Sequence, residues 1–287
     1  MRGMVAQATL RSSVLSAALL VLALASACGG DEGGSSAPAP ATDSSSAEPS
    51  SSAGGVRRAV AKAESSGEEP YDSAELGALH GEILFTGTAP ERFTLGAAQT
   101  SGCRDHPDVD QRSNEVVVAD GKLVGAYVYL KSGFDPAQIP APRADVVTLE
   151  QKGCMYVPRV LALRVGQTLR VTNGDPTAHN VHARGKRNGE LNKSMGAAQA
   201  PLEFRFEKAE RPVPFKCDIH PWMGAAVFVE EHPWFAVSDA QGRFTIRDVP
   251  PGEYVVEVVH ERLGETRGSA TVTAGRSSGV VFRLAGR

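Results

Sequence analysis

From about residue 76 onward, turn signals recur every few residues, and nothing else constrains the fold as much. Short runs rich in Val, Leu, Phe and Tyr ("HGEILFTGTAP", "EVVVAD", "LVGAYVYLK", "DVVTLEQ", "RVLALRV", "TLRVTN", "LEFRFEK", "AAVFVE") are cut apart by "ADGK", "VGQT" and "NGDP". "WFAVSD", "RFTIRDV", "EYVVEVVH", "GSATVTA" and "GVVFRLA" continue the pattern. Many short strands at this spacing predict an all-β head, a sandwich or a barrel. No long helical period competes, and "YDSAELGALH" offers a turn or two of helix at most.

The N-terminal stretch belongs to a different class. "MRGMVAQATLRSS" carries Arg2 and Arg11 ahead of the short apolar run "VLSAALLVLALASA". That is a signal-peptide pattern, too short for a spanning helix. The run ends in "LASAC", which resembles the lipobox of bacterial lipoproteins, with Ala25 where Leu is usual. The resemblance implies a signal peptide over 1–27, a lipid anchor on Cys28 and an extracytoplasmic place on a bacterial cell membrane. Simple secretion and an uncleaved anchor are the alternatives. Residues 28–75 hold almost no large apolar side chains and read as a flexible linker, because burial cannot offset their ordering entropy. The formal charge is -3, from 30 basic and 33 acidic residues, with no basic block, so no nucleic-acid partner is expected.

The four cysteines are Cys28, Cys103, Cys154 and Cys217. With Cys28 lipidated, three remain in an oxidising compartment, where two pair and one is left over. Cys217 lies in "FKCDIHPWMGAAVFV", beside His220 and Met223, which leaves Cys103 with Cys154 as the expected disulfide; three free thiols or a different pair are the alternatives. A thiolate, an imidazole and a thioether form a soft donor set that suits copper. "NGDPTAHNVHARG" offers His179 and His182 as a further imidazole. On an extended segment they alternate faces, and His182 reads as structural or surface. The plainer alternatives are a buried Cys217 acting as a small hydrophobe and Met223 as core filler. "CRDHPDVD" places His106 three residues after Cys103; it reads as a disulfide loop with solvent-facing acids rather than a metal loop. "GKRNGELNKSMGAAQAP" reads as a polar, mobile rim.

"VTLEQKGCMYVPRVLALRVGQTLRVTNGDPTAHNVHA" followed by "FKCDIHPWMGAAVFV" resembles the cupredoxins, and its Cys-x-x-His-x-x-Met loop is most similar to amicyanin. The resemblance implies His179, Cys217, His220 and Met223 as ligands of one type 1 copper. It implies Asn180 as a hydrogen-bonding neighbour, and Pro221 and Trp222 as part of an apolar rim. "DAQGRFTIRDVPPGEYVVEVVH" resembles carboxypeptidase-regulatory-like, prealbumin-type sandwiches, whose earlier strands look like "GEILFTG" and "LVGAYVYL". Together they imply a Greek-key cupredoxin sandwich (135–231) inserted into a prealbumin-like β-sandwich made of 76–134 and 232–287. A tandem with one elaborated sandwich over 76–231 is the alternative.

The expected function is membrane-tethered one-electron transfer by blue copper, with a protein redox partner and no catalysis. The alternatives are copper handling outside the cytoplasm, or a metal-free sandwich serving structure, adhesion or carbohydrate contact. A multicopper oxidase is excluded by the small number of histidines, 7 in all, and a zinc peptidase by the lack of an HExxH signature.

Overall fold

The computed structural model describes residues 64–70 and 73–286. The expected signal peptide, the anchor Cys28 and most of the linker lie outside the described residues. Among the described residues no helix is long and apolar enough to cross a membrane.

The chain enters as β1 (Glu64–Pro70) and β2 (Gly77–Thr86), then β3 (Val117–Ala119), β4 (Lys122–Val124) and β5 (Tyr127–Ser132). A middle group follows: β6 (Val146–Lys152), β7 (Met155–Val157), β8 (Val160–Arg164), β9 (Thr168–Asn173), β10 (His179–Arg184), β11 (Glu190–Met195), β12 (Leu202–Arg205), β13 (Glu210–Lys216) and β14 (Gly224–Glu230). The last group is β15 (Phe235–Val237), β16 (Arg243–Val249), β17 (Gly252–His260), β18 (Gly264–Val272) and β19 (Arg276–Ala285). Single 3-10 turns lie at Gly96–Gln99 and Pro136–Gln138.

These strands make an all-β, multi-sheet architecture. One sheet runs β1-β19-β2-β4-β3 with β16 also on β2, and a second runs β15-β5-β17-β18. Between them lies a core of Leu79, Ile83, Leu130, Trp234, Phe244, Ile246, Val256 and Phe282. Both sheets mix strands from before residue 133 with strands from after 234. The other two sheets, β11-β10-β13-β14-β8 and β12-β9-β6-β7, come wholly from the middle group. Their core holds Leu149, Tyr156, Leu163, Val171, Val181, Phe215 and Val227. In β16 buried Phe244 and Ile246 alternate with exposed neighbours, as the two-residue period of a half-buried sheet requires, whereas β10 and β14 are buried along nearly their whole length.

A third apolar contact joins the two halves. Tyr127 and Tyr129 of β5 pack against Ala226 and Phe228 of β14. The rings of Tyr127 and Phe228 stack with centroids 4.1 Å apart. Arg211 lies over the Tyr129 ring at 4.4 Å and pairs with Glu230.

Three local expectations are corrected. Glu64–Pro70, inside the expected linker, forms the edge strand β1, antiparallel to β19. Ladder pairing needs only backbone donors and acceptors, so side-chain composition is a poor guide to it. The "GELNKSM" stretch is likewise a strand, β11, registered on β10 from His179–Met195 to Arg184–Glu190, with Met195 fully buried. "YDSAELGALH" carries no helix over 73–80; β2 begins at Gly77.

Candidate functional site

β10 and β13 run antiparallel with His182 opposite Lys216. Extending that register sets the start of β10 beside the chain leaving β13. Residues 217–223 form a tight loop there, closed by the Cys217 amide donating to the Met223 carbonyl (3.0 Å) and the Met223 amide to His220 (2.9 Å). His179, Cys217, His220 and Met223 are all buried.

The structure brings His179, Cys217 and His220 together: one nitrogen or sulfur of each lies within 4.8 Å of the others. The Nδ1 atoms of His179 and His220 are 3.1 Å apart, and Cys217 Sγ is 3.7 Å from His220 Nδ1. The Asn180 amide donates to Cys217 Sγ at 3.3 Å. The Asn180 side chain accepts from the Asp218 amide at 3.1 Å and donates to Asn192. Met223 packs in the middle-group core beside Cys217 and Phe215. Pro221 is exposed. Trp222 is half-buried, its ring centroid 5.4 Å from that of His220, and its Nε1 donates to the Cys154 carbonyl at 3.1 Å. His182 stands apart from the cluster, donating to Asp218 at 2.9 Å and pairing with Glu190 on its other nitrogen.

Asp175 organises this region, and the sequence reading missed it. "NGDP" signals a turn, and nothing in four letters says which way the carboxylate points. Its side chain is wholly buried. Oδ2 accepts from His179 Nε2 (2.8 Å) and the Cys154 amide (2.8 Å). Oδ1 accepts from the Gly153 amide (2.6 Å) and His106 Nε2 (2.9 Å). His106 is therefore a partner of a buried carboxylate, while Asp105, Asp108 and Asp110 of the same disulfide loop face solvent.

The electrostatics follow from these contacts. Burial pushes the Asp175 carboxyl up, but the hydrogen bonds from His179, Cys154 and Gly153 outweigh it and hold the group below its usual value. Burial pushes His179 down; Asp175 and Cys217 outweigh that and raise it. Burial pushes the Cys217 thiol up, and hydrogen bonds from His179 and the Asn180 amide bring it below its usual value. His220 is lowered by burial and by the charge of His179.

Cys103 and Cys154 form a disulfide across 51 residues. Cys103 Sγ lies 3.9 Å from His220 Nε2. Three groups of donor atoms converge here: Cys103, Cys154 and His220; Cys154, Asp175 and His179; and His179, Cys217 and His220. The disulfide removes thiolate ligation from the first two. In the third, each histidine and the thiol already hold a hydrogen-bond partner within the protein. The buried nitrogens and oxygens without partners among the described residues lie elsewhere, at Tyr127, Gln151, Arg159, Arg164 and Ser278. Among the described residues no orphaned side-chain nitrogen or oxygen lies at the cluster to call for an ion. The expectation of a type 1 copper centre serving electron transfer is corrected on these grounds. A hydrogen-bonded, metal-free cluster accounts for the arrangement better.

Residues 219–285 match the model of the carboxypeptidase regulatory-like domain. The match begins inside the 217–223 loop, earlier than the expected boundary at 232. No curated protein matches the chain. Among solved structures, a purple cupredoxin from Nitrosopumilus maritimus is 22% identical over 29% of this chain and 99% of its own, with a TM-score of 0.26. A variant of amicyanin in its Cu(I) form is 25% identical over 37% of this chain and 99% of its own, with a TM-score of 0.28. Scores this low mark a distant likeness.

Proposed function

We propose that the chain is a non-enzymatic, metal-free structural protein. In this reading a prealbumin-like sandwich, 76–134 with 232–287, carries an inserted Greek-key sandwich, 135–231, and lipid on Cys28 holds both outside a bacterial membrane. The observation that carries the structural reading is the closure of the Asp175–His179–His220–Cys217 cluster by its own hydrogen bonds. Buried polar groups satisfied in this way fix one arrangement of the elements that donate them. Here those elements are the start of β10, the 217–223 loop and the turn at Gly153. The disulfide supports an extracytoplasmic place, since such bonds persist where thiols are not kept reduced. The pairing of β15 with β5, with Phe235 opposite Tyr129, supports the nested arrangement, because the chain returns to the strand it left.

A surface open to contact lies on β2, β16 and β19. It is an open groove of about 900 Å³, lined by His80, Glu82, Arg243, Thr245, Arg247 and Ser277. His80 Nδ1 and Ser277 Oγ lie 2.7 Å apart across it. Such planar and hydroxyl groups fit a hydroxyl-rich ligand such as a carbohydrate.

The test is thermal unfolding of the folded head after exhaustive chelation, with and without added copper. The expected result is an unchanged midpoint and no intense visible band. Uptake of one copper per chain, with an intense band that Cys217→Ala abolishes, overturns the proposal.

A further inference from the structure

Residues 92–113 form a closed excursion between β2 and β3. The Ser113 amide donates to the Phe93 carbonyl at 2.8 Å and the Leu95 amide to Gln111 at 2.9 Å, so its two ends are tied together. The excursion lies over one edge of the cluster. Cys103 Sγ touches His220 Nε2, and Gly96 sits against the Trp222 ring so closely that a Cβ there would be 2.6 Å from it. His220 is 7% exposed, although its neighbour Ile219 is 54% exposed.

What holds the excursion down is concentrated in one place. Its apolar contacts are few: Ala97, Cys103, Cys154 and Met155 are buried, with Leu95, Val109 and Trp222 around them. Apart from the Cys103–His220 contact, its polar ties among the described residues land on the Lys152–Gly153–Cys154 turn and Asp175. Gln111 Nε2 donates to the Gly153 carbonyl at 3.0 Å, His106 pairs with Asp175, and Lys152 pairs with an exposed Asp108. Exposed pairs of that kind contribute little. The disulfide is the one covalent tie in this set.

We propose that Cys103–Cys154 is a redox latch. As a disulfide it keeps 92–113 shut over His220; as two thiols it lets the excursion lift, exposing the His220–Cys217 edge while the sandwich beneath stays folded. The reductant is a dithiol. One of its thiolates attacks a disulfide sulfur and releases the other cysteine as a thiolate, which takes a proton. The second thiol of the reductant then resolves the mixed disulfide, leaving two protein thiols and an oxidised dithiol. Both sulfurs are buried, so attack follows local opening.

Cys217 is the reporter, as a buried thiol outside the disulfide. The full chain is treated with a maleimide, and Cys217 labelling is timed by mass spectrometry in the oxidised protein and in the Cys103→Ser/Cys154→Ser variant. Hydrogen exchange is measured on both. The expected result is labelling faster by about tenfold or more in the variant. Amides of 92–113 lose protection while those of β13 and β14 keep theirs. Equal labelling rates with unchanged protection over 92–113 overturn the latch. If the double variant does not fold, the wild-type chain is reduced with dithiothreitol under native conditions and read by the same hydrogen exchange. Loss confined to 92–113 supports the proposal, and loss throughout the sandwich overturns it.

Discussion

Asp175 places one carboxylate at the meeting point of two imidazoles and two backbone amides. Asp175→Asn keeps the shape but turns one acceptor into a donor facing those amides and rings. The expected loss is about 1–3 kcal/mol, the usual cost of leaving buried partners unsatisfied, measured by urea unfolding at pH 7. His260 gives a second prediction. Burial, then the nearby charge of Arg159, pushes it from 6.5 to about 4. Between those values the unfolded chain binds the proton and the folded one does not, so this contribution is full above the unfolded pKa and is lost as pH falls towards the folded one. The expected loss between pH 7 and pH 5 is about 2 kcal/mol, and His260→Gln should flatten the profile by that amount. An unchanged slope in the variant would show that His260 does not set it. The cysteine, histidine and methionine of the 217–223 loop were legible because their spacing is local and their chemistry shared. Asp175 was not, because its partners come from residues 106, 153, 154 and 179. Nor does the donor set alone say whether hydrogen bonds already close it.

At the scale of elements, strands with apolar alternation were readable and strands held by backbone pairing were not. β16 and β17 announce themselves; β1 and β11 do not, since β11 offers only Leu191 and Met195 to the interior. The 92–113 excursion has no regular apolar period in its sequence, and one of the contacts that seat it is a close approach at Gly96. Gly96→Ala would force a methyl group into the Trp222 ring. The expected cost is about 1–3 kcal/mol, as for overpacking elsewhere. In a Trp234→Phe background the remaining Trp222 emission should shift to longer wavelength as the ring moves towards water. Emission that stays put would mean the ring and the excursion move together.

At the scale of the molecule, the two halves meet through β5 and β14. Phe228 is buried and stacks on Tyr127, and Phe228→Ala removes most of that contact. The expected cost is about 3–5 kcal/mol, with one calorimetric transition separating into two; a single, merely lowered transition would mean that the joint lies elsewhere. The regular return of the chain also bears on synthesis. The Leu130 amide donates to the Trp234 carbonyl at 3.1 Å, so the strand before the middle group lies next to the one after it. A ribosome delivers the middle strands as an unbroken run, and they can assemble as soon as residue 230 has emerged. β5 must wait, unpaired, for partners encoded last, and β2 has only β4 beside it until β16 and β19 arrive. The first-made half is thus the last to close, and during that interval its open edges are what a chaperone would have to guard.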